Sequence, residues 1–407
     1  MLLQRLIRCG VPQDYLERGQ AGVADYVKAD SVRLPEVINA LFPGPDDVQA
    51  SSLSGADEVQ GPGTRKEFQN LCRDALKWVK WAMFQGEPHA VLAGAGQGDG
   101  GARGVCGAVW GSNDIAYRCR TCEHDPTCAI CVPCFQNGNH ATHDYSMIRT
   151  GGGCCDCGDI TAWKESGFCS RHCGPGQVAP LPLPIVEAAS PVLEALLHHW
   201  VYRLKAGESS GEVKYKKWNQ QTVEEKVASQ LSAVCIDMLL EFCNYGETML
   251  AFTAEHVGNK NIGLLHTLMS TECFLPKAVG TSLHELLYKL LGDTNFKHVF
   301  AQTFISHYPK FLHDLVAEEA ATPGTNRSRE QAILNSFSVQ IFTVPTLTPK
   351  LVIESGLLDM LLETLKEFLR ACVGEDGRLM VRAHIFSLET LSLFVLRNIV
   401  VEYFWPD

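Results

Sequence analysis

A mostly α-helical protein interrupted by one small, irregular, multi-zinc domain is the fold class this sequence predicts, and three observations predict it. Apolar residues recur at helical spacing through both flanks. Eleven of the 17 cysteines fall between Cys106 and Cys173. Glycine-rich and proline-rich stretches bracket that segment on either side. A chain of 407 residues, 46% of them hydrophobic, can bury two or three cores of ordinary size. Its net charge of −11 is spread along the chain without a basic tract, which argues against nucleic acid as a partner. Between Met1 and Asp30 no apolar run is long enough for a signal peptide or a spanning helix. A cytoplasmic or nuclear protein with no membrane partner is expected.

Taken in order, residues 1–93 form a helical amino-terminal region. Met1–Phe42 and Arg65–Phe84 carry apolar residues at helical spacing, among them Phe68, Leu71, Leu76, Val79 and Met83. Gly44–Gly63 between them is polar and rich in Pro, Ser and Gly. Residues 94–104 are a glycine-rich linker, 105–174 hold the cysteine-rich domain, and 175–190 are a proline-rich, extended connection. Residues 191–407 read as helical throughout, with helices near Val192–Leu204, Val223–Phe242, Leu283–Leu291, Lys297–Leu315, Leu351–Leu369 and Val381–Val400. The segment LTPKLVIESGLLDMLL (Leu347–Leu362) places a proline before one helix and a glycine before the next, the punctuation of armadillo or HEAT repeats. Val401–Asp407 break off after an apolar helix, which suggests an amino-terminal piece of a longer chain. Cys9, Cys72, Cys235, Cys243, Cys273 and Cys372 stand singly in helix-patterned sequence and are expected to pack as small hydrophobes.

In the cluster the ligand-like residues are Cys106, Cys119 with Cys122, then Cys128, Cys131 and Cys134, His140 with His143, Cys155 with Cys157, and Cys169 with His172. Two ligands separated by two residues can bend round one tetrahedral zinc. Cys119, Cys122, His140 and His143 therefore read as one closed site. Cys106, Cys131, Cys134, Cys155, Cys157, Cys169 and His172 make seven further ligands, one short of two four-coordinate zincs; a bridging thiolate would complete both. Cys128, Cys154, Cys173 and His124 read as packing residues. A catalytic zinc would need an open coordination position, and these ligands are all used in closing sites.

The runs CGAVW, YRCRTCEHDPTCAICVPCFQNGNHATHDY, GGGCCDCGD, AWK and FCSRH closely resemble the UBR box of the N-recognin E3 ubiquitin ligases. The resemblance spans every zinc-ligand position of that family. It implies one zinc on Cys106, Cys131, Cys134 and Cys155 and a second on Cys134, Cys157, Cys169 and His172, with Cys134 shared, so that three zinc ions are expected. The helical flanks most resemble the amino-terminal part of a plant member. The family binds free protein amino termini that begin with Arg, Lys or His, to direct ubiquitination and proteasomal degradation. By resemblance Asp156 and the Cys154 backbone take the α-amino group, and Asp125, Thr127 and Asp159 the basic side chain. Trp110 is either core or the wall against which the second ligand residue packs. Cys154 departs from the pattern, since animal members carry an aromatic there.

Without the resemblance, each aspartate alone reads as turn chemistry, and Asp125-Pro126 is an ordinary turn opener. Asp156 and Asp159 nevertheless sit beside ligands whose backbone the metal would fix, and rigid acids suit a cationic target. No second cross-braced Cys/His array and no activated cysteine is visible. This portion is therefore expected to select substrate, with the ubiquitin-conjugating enzyme recruited by a region absent from it. The competing readings are a zinc-stabilised interaction scaffold without N-terminal specificity and a zinc module for nucleic acid, which the acidic set disfavours.

Overall fold

The computed structural model describes residues 2–48, 62–94, 104–111, 113–151, 153–174, 180–208, 220–321, 337, 341 and 347–371. The expected helix Val381–Val400, the final residues Val401–Asp407, Cys372, and most of the two linkers 44–63 and 94–104 lie outside them. In chain order the helices are α1 (Leu2–Arg8), α2 (Gln13–Glu17), α3 (Gly19–Ala29), α4 (Leu34–Leu41), α5 (Pro62–Phe84) and α6 (Pro88–Gly94). The short α7 (Val132–Asn137) lies in the cysteine-rich domain. After it come α8 (Leu183–Gly207), α9 (Val223–Asn244), α10 (Glu247–Val257), α11 (Leu264–Thr271), α12 (Lys277–Leu290), α13 (Thr294–Ala321), α14 (Thr348–Ser355) and α15 (Leu357–Ala371). The mostly helical fold is as the sequence predicts.

Two compact units divide the chain, and neither is continuous: residues 1–101 join 178–290, and residues 102–177 join 291–407. The linear order of five zones expected from composition is thus not the order in which the chain packs. In the first unit α5 lies against α8 and α9. Phe84 meets Phe242 edge to face at 5.7 Å between ring centroids, and Lys80 pairs with Glu241. Arg5 donates to the carbonyls of Ala40 and Leu41 at 2.9 Å each, tying α1 to the end of α4. α9 opens on a capping box in which Thr222 accepts from the Glu225 amide at 3.2 Å and Glu225 accepts from the Thr222 amide at 2.8 Å. Its mean hydropathy of 1.2 would suit a membrane span, but 72% of that window is buried inside the protein, as befits a core helix.

Several boundaries differ from expectation for identifiable reasons. α8 begins at Leu183, inside the span 175–190 expected to be an extended linker, and runs through Pro191. Pro191 and Glu187 are both exposed, so the carbonyl that loses its amide partner faces water. The stretch Leu351–Leu369 is two helices, α14 and α15, divided by Gly356 at φ 60°, a left-handed cap that glycine adopts without strain. α10 and α11 were not legible because their inner faces are partly polar: buried Thr253 and Thr267 donate to Met249 and Gly263 carbonyls at 2.7 and 2.9 Å, which satisfies them while blurring the apolar period. Cys72 and Cys235 are fully buried and Cys243 nearly so, whereas Cys9 and Cys273 are only half-buried.

The cysteine-rich part carries short antiparallel strands. β1 (Val109–Trp110) pairs with β5 (Gly153–Cys154), and β2 (Ile115–Cys119) lies between β3 (Ile130–Cys131) and β4 (Tyr145–Arg149). Its interior is made largely of cysteine, with Trp163, Ile130 and Ala162 among the few other buried side chains. So little apolar area cannot close a domain of this size without another source of stability.

Candidate functional site

The ligand candidates converge into three groups: Cys106, Cys131, Cys134 and Cys155; Cys119, Cys122, His140 and His143; and Cys134, Cys157, Cys169 and His172, with Cys134 in two of them. The spacing between ligand atoms tests whether zinc fits. Zn–S and Zn–N bonds of about 2.3 and 2.0 Å make tetrahedral edges of about 3.8 Å between sulfurs and about 3.5 Å between sulfur and nitrogen. Cys106 and Cys131 Sγ are 3.8 Å apart. Cys119 Sγ to His143 Nδ1 is 3.5 Å, Cys122 Sγ to His140 Nδ1 3.8 Å and Cys134 Sγ to His172 Nδ1 3.4 Å. The residues fit Zn2+ in four-ligand, closed sites, where the metal would hold the chain together and leave no position for a reacting water.

Backbone geometry prepares the ligands. Amides of Cys131 and Cys169 point at the Sγ atoms of Cys155 and Cys157, at 3.1 and 3.3 Å, where they would stabilise thiolates. Phe135 lies between the rings of Tyr117 and His140, stacked at 3.9 and 5.1 Å, and so fixes the plane of one ligand. Gly158 follows the Cys155–Cys157 pair at φ +94°, and a Cβ there would lie 2.2 Å from the Gly104 carbonyl. Only glycine allows the Cys157 loop to close against Gly104. Burial drives the Cys128 and Cys154 thiols well above the free-thiol range, with Asp156 adding to the effect. Both stand outside the three groups. His124 is exposed, not packed.

The three aspartates share one electrostatic neighbourhood, since Asp156 feels both Asp159 and Asp125. Asp125 and Asp159 are held by the same device, an Asp-x-Thr turn. Asp125 Oδ1 accepts from the Thr127 amide at 2.7 Å and its hydroxyl at 2.5 Å. Asp159 Oδ1 accepts from the Thr161 amide at 2.8 Å and its hydroxyl at 2.6 Å. Each turn leaves Oδ2 directed elsewhere: Asp125 Oδ2 accepts from the Cys128 thiol at 3.2 Å, and Asp159 Oδ2 accepts from Lys297 Nζ at 2.5 Å. Asp156 bridges β3 and the zinc loop, its Oδ2 accepting from the Ala129 amide at 2.7 Å while its own amide donates to Ala129 at 3.0 Å. Burial pushes the Asp156 carboxyl up to about 8, a shift that Zn2+ held by the adjoining cysteines would oppose. Cys154 is buried on β5, and Trp110 is half-buried on β1, packed against the cysteine-rich core. The turn reading holds for Asp125 and Asp159, whose Oδ1 atoms serve the turns while their Oδ2 atoms meet Cys128 and Lys297.

Lys297, on α13, is a buried partner of the candidate site that sequence reasoning missed. It is 6% exposed, reaches Asp159 and lies 3.4 Å from Thr161 Oγ1. Burial pushes Asp159 up, but the Lys297 ammonium outweighs it and holds the carboxyl below the usual range. Burial likewise pushes Lys297 down, and Asp159 outweighs that too. A signal was present: Lys297 sits at i−4 and i−7 from buried Ala301 and Phe304, on an otherwise apolar stripe.

Three closed Cys/His sites, two of them sharing Cys134, with acids set on the same loops, define a UBR-type zinc finger, and residues 105–172 match the zinc finger in N-recognin (UBR box) family. The likeness extends beyond the finger. The chain is 43% identical over 380 residues, 93% of its length, to the E3 ubiquitin-protein ligase PRT6 of Arabidopsis thaliana. It is 27% identical over 367 residues to the E3 ubiquitin-protein ligase Ubr3 of Drosophila melanogaster, and 24% identical over 414 to the E3 ubiquitin-protein ligase UBR1 of Mus musculus; 76% and 78% of the chain is covered. The chain belongs to the UBR-box N-recognin family. It spans 18%, 16% and 23% of the lengths of these three relatives.

Proposed function

We propose that this chain is the substrate-recognition part of an N-degron E3 ubiquitin ligase, binding proteins whose free amino terminus is Arg, Lys or His. The observation that carries the reading is the trio Asp125, Asp156 and Asp159, fixed on zinc-bracketed loops with their backbones already ordered. A cation arriving there meets carboxylates whose backbone is already held, Asp125 and Asp159 by their turns and Asp156 by the Ala129 amide. In the assignment that follows from the family, Asp156 and the Cys154 carbonyl receive the α-ammonium, Asp125, Thr127 and Asp159 receive the basic side chain, and Trp110 lines the neighbouring residue. Each charge-assisted hydrogen bond contributes about 1.5 to 3 kcal/mol, so three or four support micromolar affinity once ordering costs are met. Zn2+ on the three ligand groups supplies rigidity and no chemistry. Transfer of ubiquitin, and recruitment of the conjugating enzyme, would belong to other parts of a full-length ligase. Cys72 and Cys243, with thiols that burial pushes up to about 12, are poor nucleophiles.

Calorimetry on the zinc-loaded chain tests the reading. Peptides starting with Arg should bind with a free terminus and lose at least tenfold in affinity when acetylated. An acetylated peptide bound as tightly as the free one would leave only an interaction scaffold with an acidic face.

A further inference from the structure

Asp159, the acid assigned to the incoming basic side chain, already holds a basic side chain from its own chain. Lys297 Nζ donates to Asp159 Oδ2 at 2.5 Å and to Thr161 Oγ1 at 3.4 Å, with both partners of the ion pair nearly buried. The ammonium also interacts with Cys154 and Asp156, the residues assigned to the ligand's terminus. It is placed among the residues that would read an N-terminal cation.

We propose that Lys297 is an internal stand-in for the basic side chain of the ligand, and that an N-terminal residue binds by displacing it. The inference rests on the N-terminal reading above and adds a displacement step to it. A Lys-initiated peptide offers Asp159 the same ammonium that Lys297 already supplies, so that exchange gains nothing at the side chain. An Arg-initiated peptide offers a planar fork that can hold Asp159 Oδ2 and a second acceptor together, so that exchange is favourable. Neutral first residues leave Asp159 on Lys297 and compete only for Asp156. The displacement of Lys297 is common to both peptides, so it weakens Arg and Lys peptides by the same factor and leaves their ratio to the geometry of the fork.

The test compares the 407-residue chain with Lys297→Met, which keeps the stem's packing, and checks zinc content and helicity in both. Fluorescence polarisation is read with peptides beginning Arg or Lys, each free and acetylated. Lys297→Met should tighten both free peptides by the same factor, tenfold or more, and leave the Arg-to-Lys ratio unchanged. Equal or weaker binding by a folded, zinc-replete variant would overturn the inference while leaving the N-terminal reading intact. If neither chain prefers free over acetylated peptides, both fall together. A second readout needs no variant: a brief pulse of an amine-acylating ester, followed by mass spectrometry, should label Lys297 several-fold faster when saturating Arg peptide is present. Labelling unchanged by the peptide would mean that Lys297 is a structural brace.

Discussion

Cys134 belongs to two ligand groups at once, so its replacement is felt at two sites where any other ligand's is felt at one. Elemental analysis of the purified chain should give three zinc ions. Cys134→Ser should retain one, on Cys119, Cys122, His140 and His143, whereas Cys128→Ser should retain three, because Cys128 only donates to Asp125. At Asp159 two consequences must be separated. Asp159→Ala removes the proposed ligand contact and also strands a buried Lys297, which costs about 3 to 5 kcal/mol by analogy with other broken buried pairs. Asp159→Asn combined with Lys297→Met should recover most of the thermal stability that Asp159→Ala loses; recovery below half would place the loss elsewhere. The metal ligands were legible because Cys and His clustered at zinc-type spacing have few other uses. The Lys297 partnership was not, since it joins residues 138 positions apart and a single lysine in an apolar stripe names no partner.

At the scale of the element, short-range devices decide where the chain turns. Thr222 and Glu225 close the first turn of α9 reciprocally, so Thr222→Ala should lower the stability of the helical unit by about 1 kcal/mol in denaturant titration. Gly158→Ala should do more, because its Cβ would strike backbone and not a yielding side chain; zinc content below three would report the displaced Cys157 loop. Apolar periodicity alone places α9 at Val223–Phe242, and it ends two residues later, at Asn244. α10 and α11 were passed over where threonines satisfied on their own helix break the apolar period, and Pro191 hid eight residues of α8. The glycine that separates α14 from α15 was visible as punctuation, though the span was read as one helix.

For the molecule as a whole, the helical flanks of the cysteine-rich segment are not two domains in series. Residues 1–101 complete the unit that residues 178–290 begin, with Phe84 on Phe242 and Lys80 on Glu241 joining α5 to α9. A chain beginning at Val178 should therefore expose the faces of α8 and α9 that α5 covers, and size-exclusion chromatography should show it aggregated where the full chain is not. Composition could mark the linkers but could not show which segments meet across them, because pairing at long range leaves no local pattern. Chelation addresses the other unit: removing zinc should cost the cysteine-rich part its fold while far-ultraviolet circular dichroism retains most of its helical signal, since α1–α6 and α8–α12 contain none of the ligands.

The discontinuous pairing sets a timetable during synthesis. At ~5 to 20 residues per second, α5 leaves the ribosome roughly 8 to 30 seconds before the α9 residues it packs against, and in that interval it presents an uncovered apolar stripe. The cysteine-rich segment follows a different clock, for its ligands are complete once His172 emerges. Lys297 is translated about 6 to 25 seconds later at the same rate. On the nascent chain Asp159 thus spends that time without the partner it has in the finished protein, and a chaperone holding the early helices would be working while the acidic loops are still uncapped.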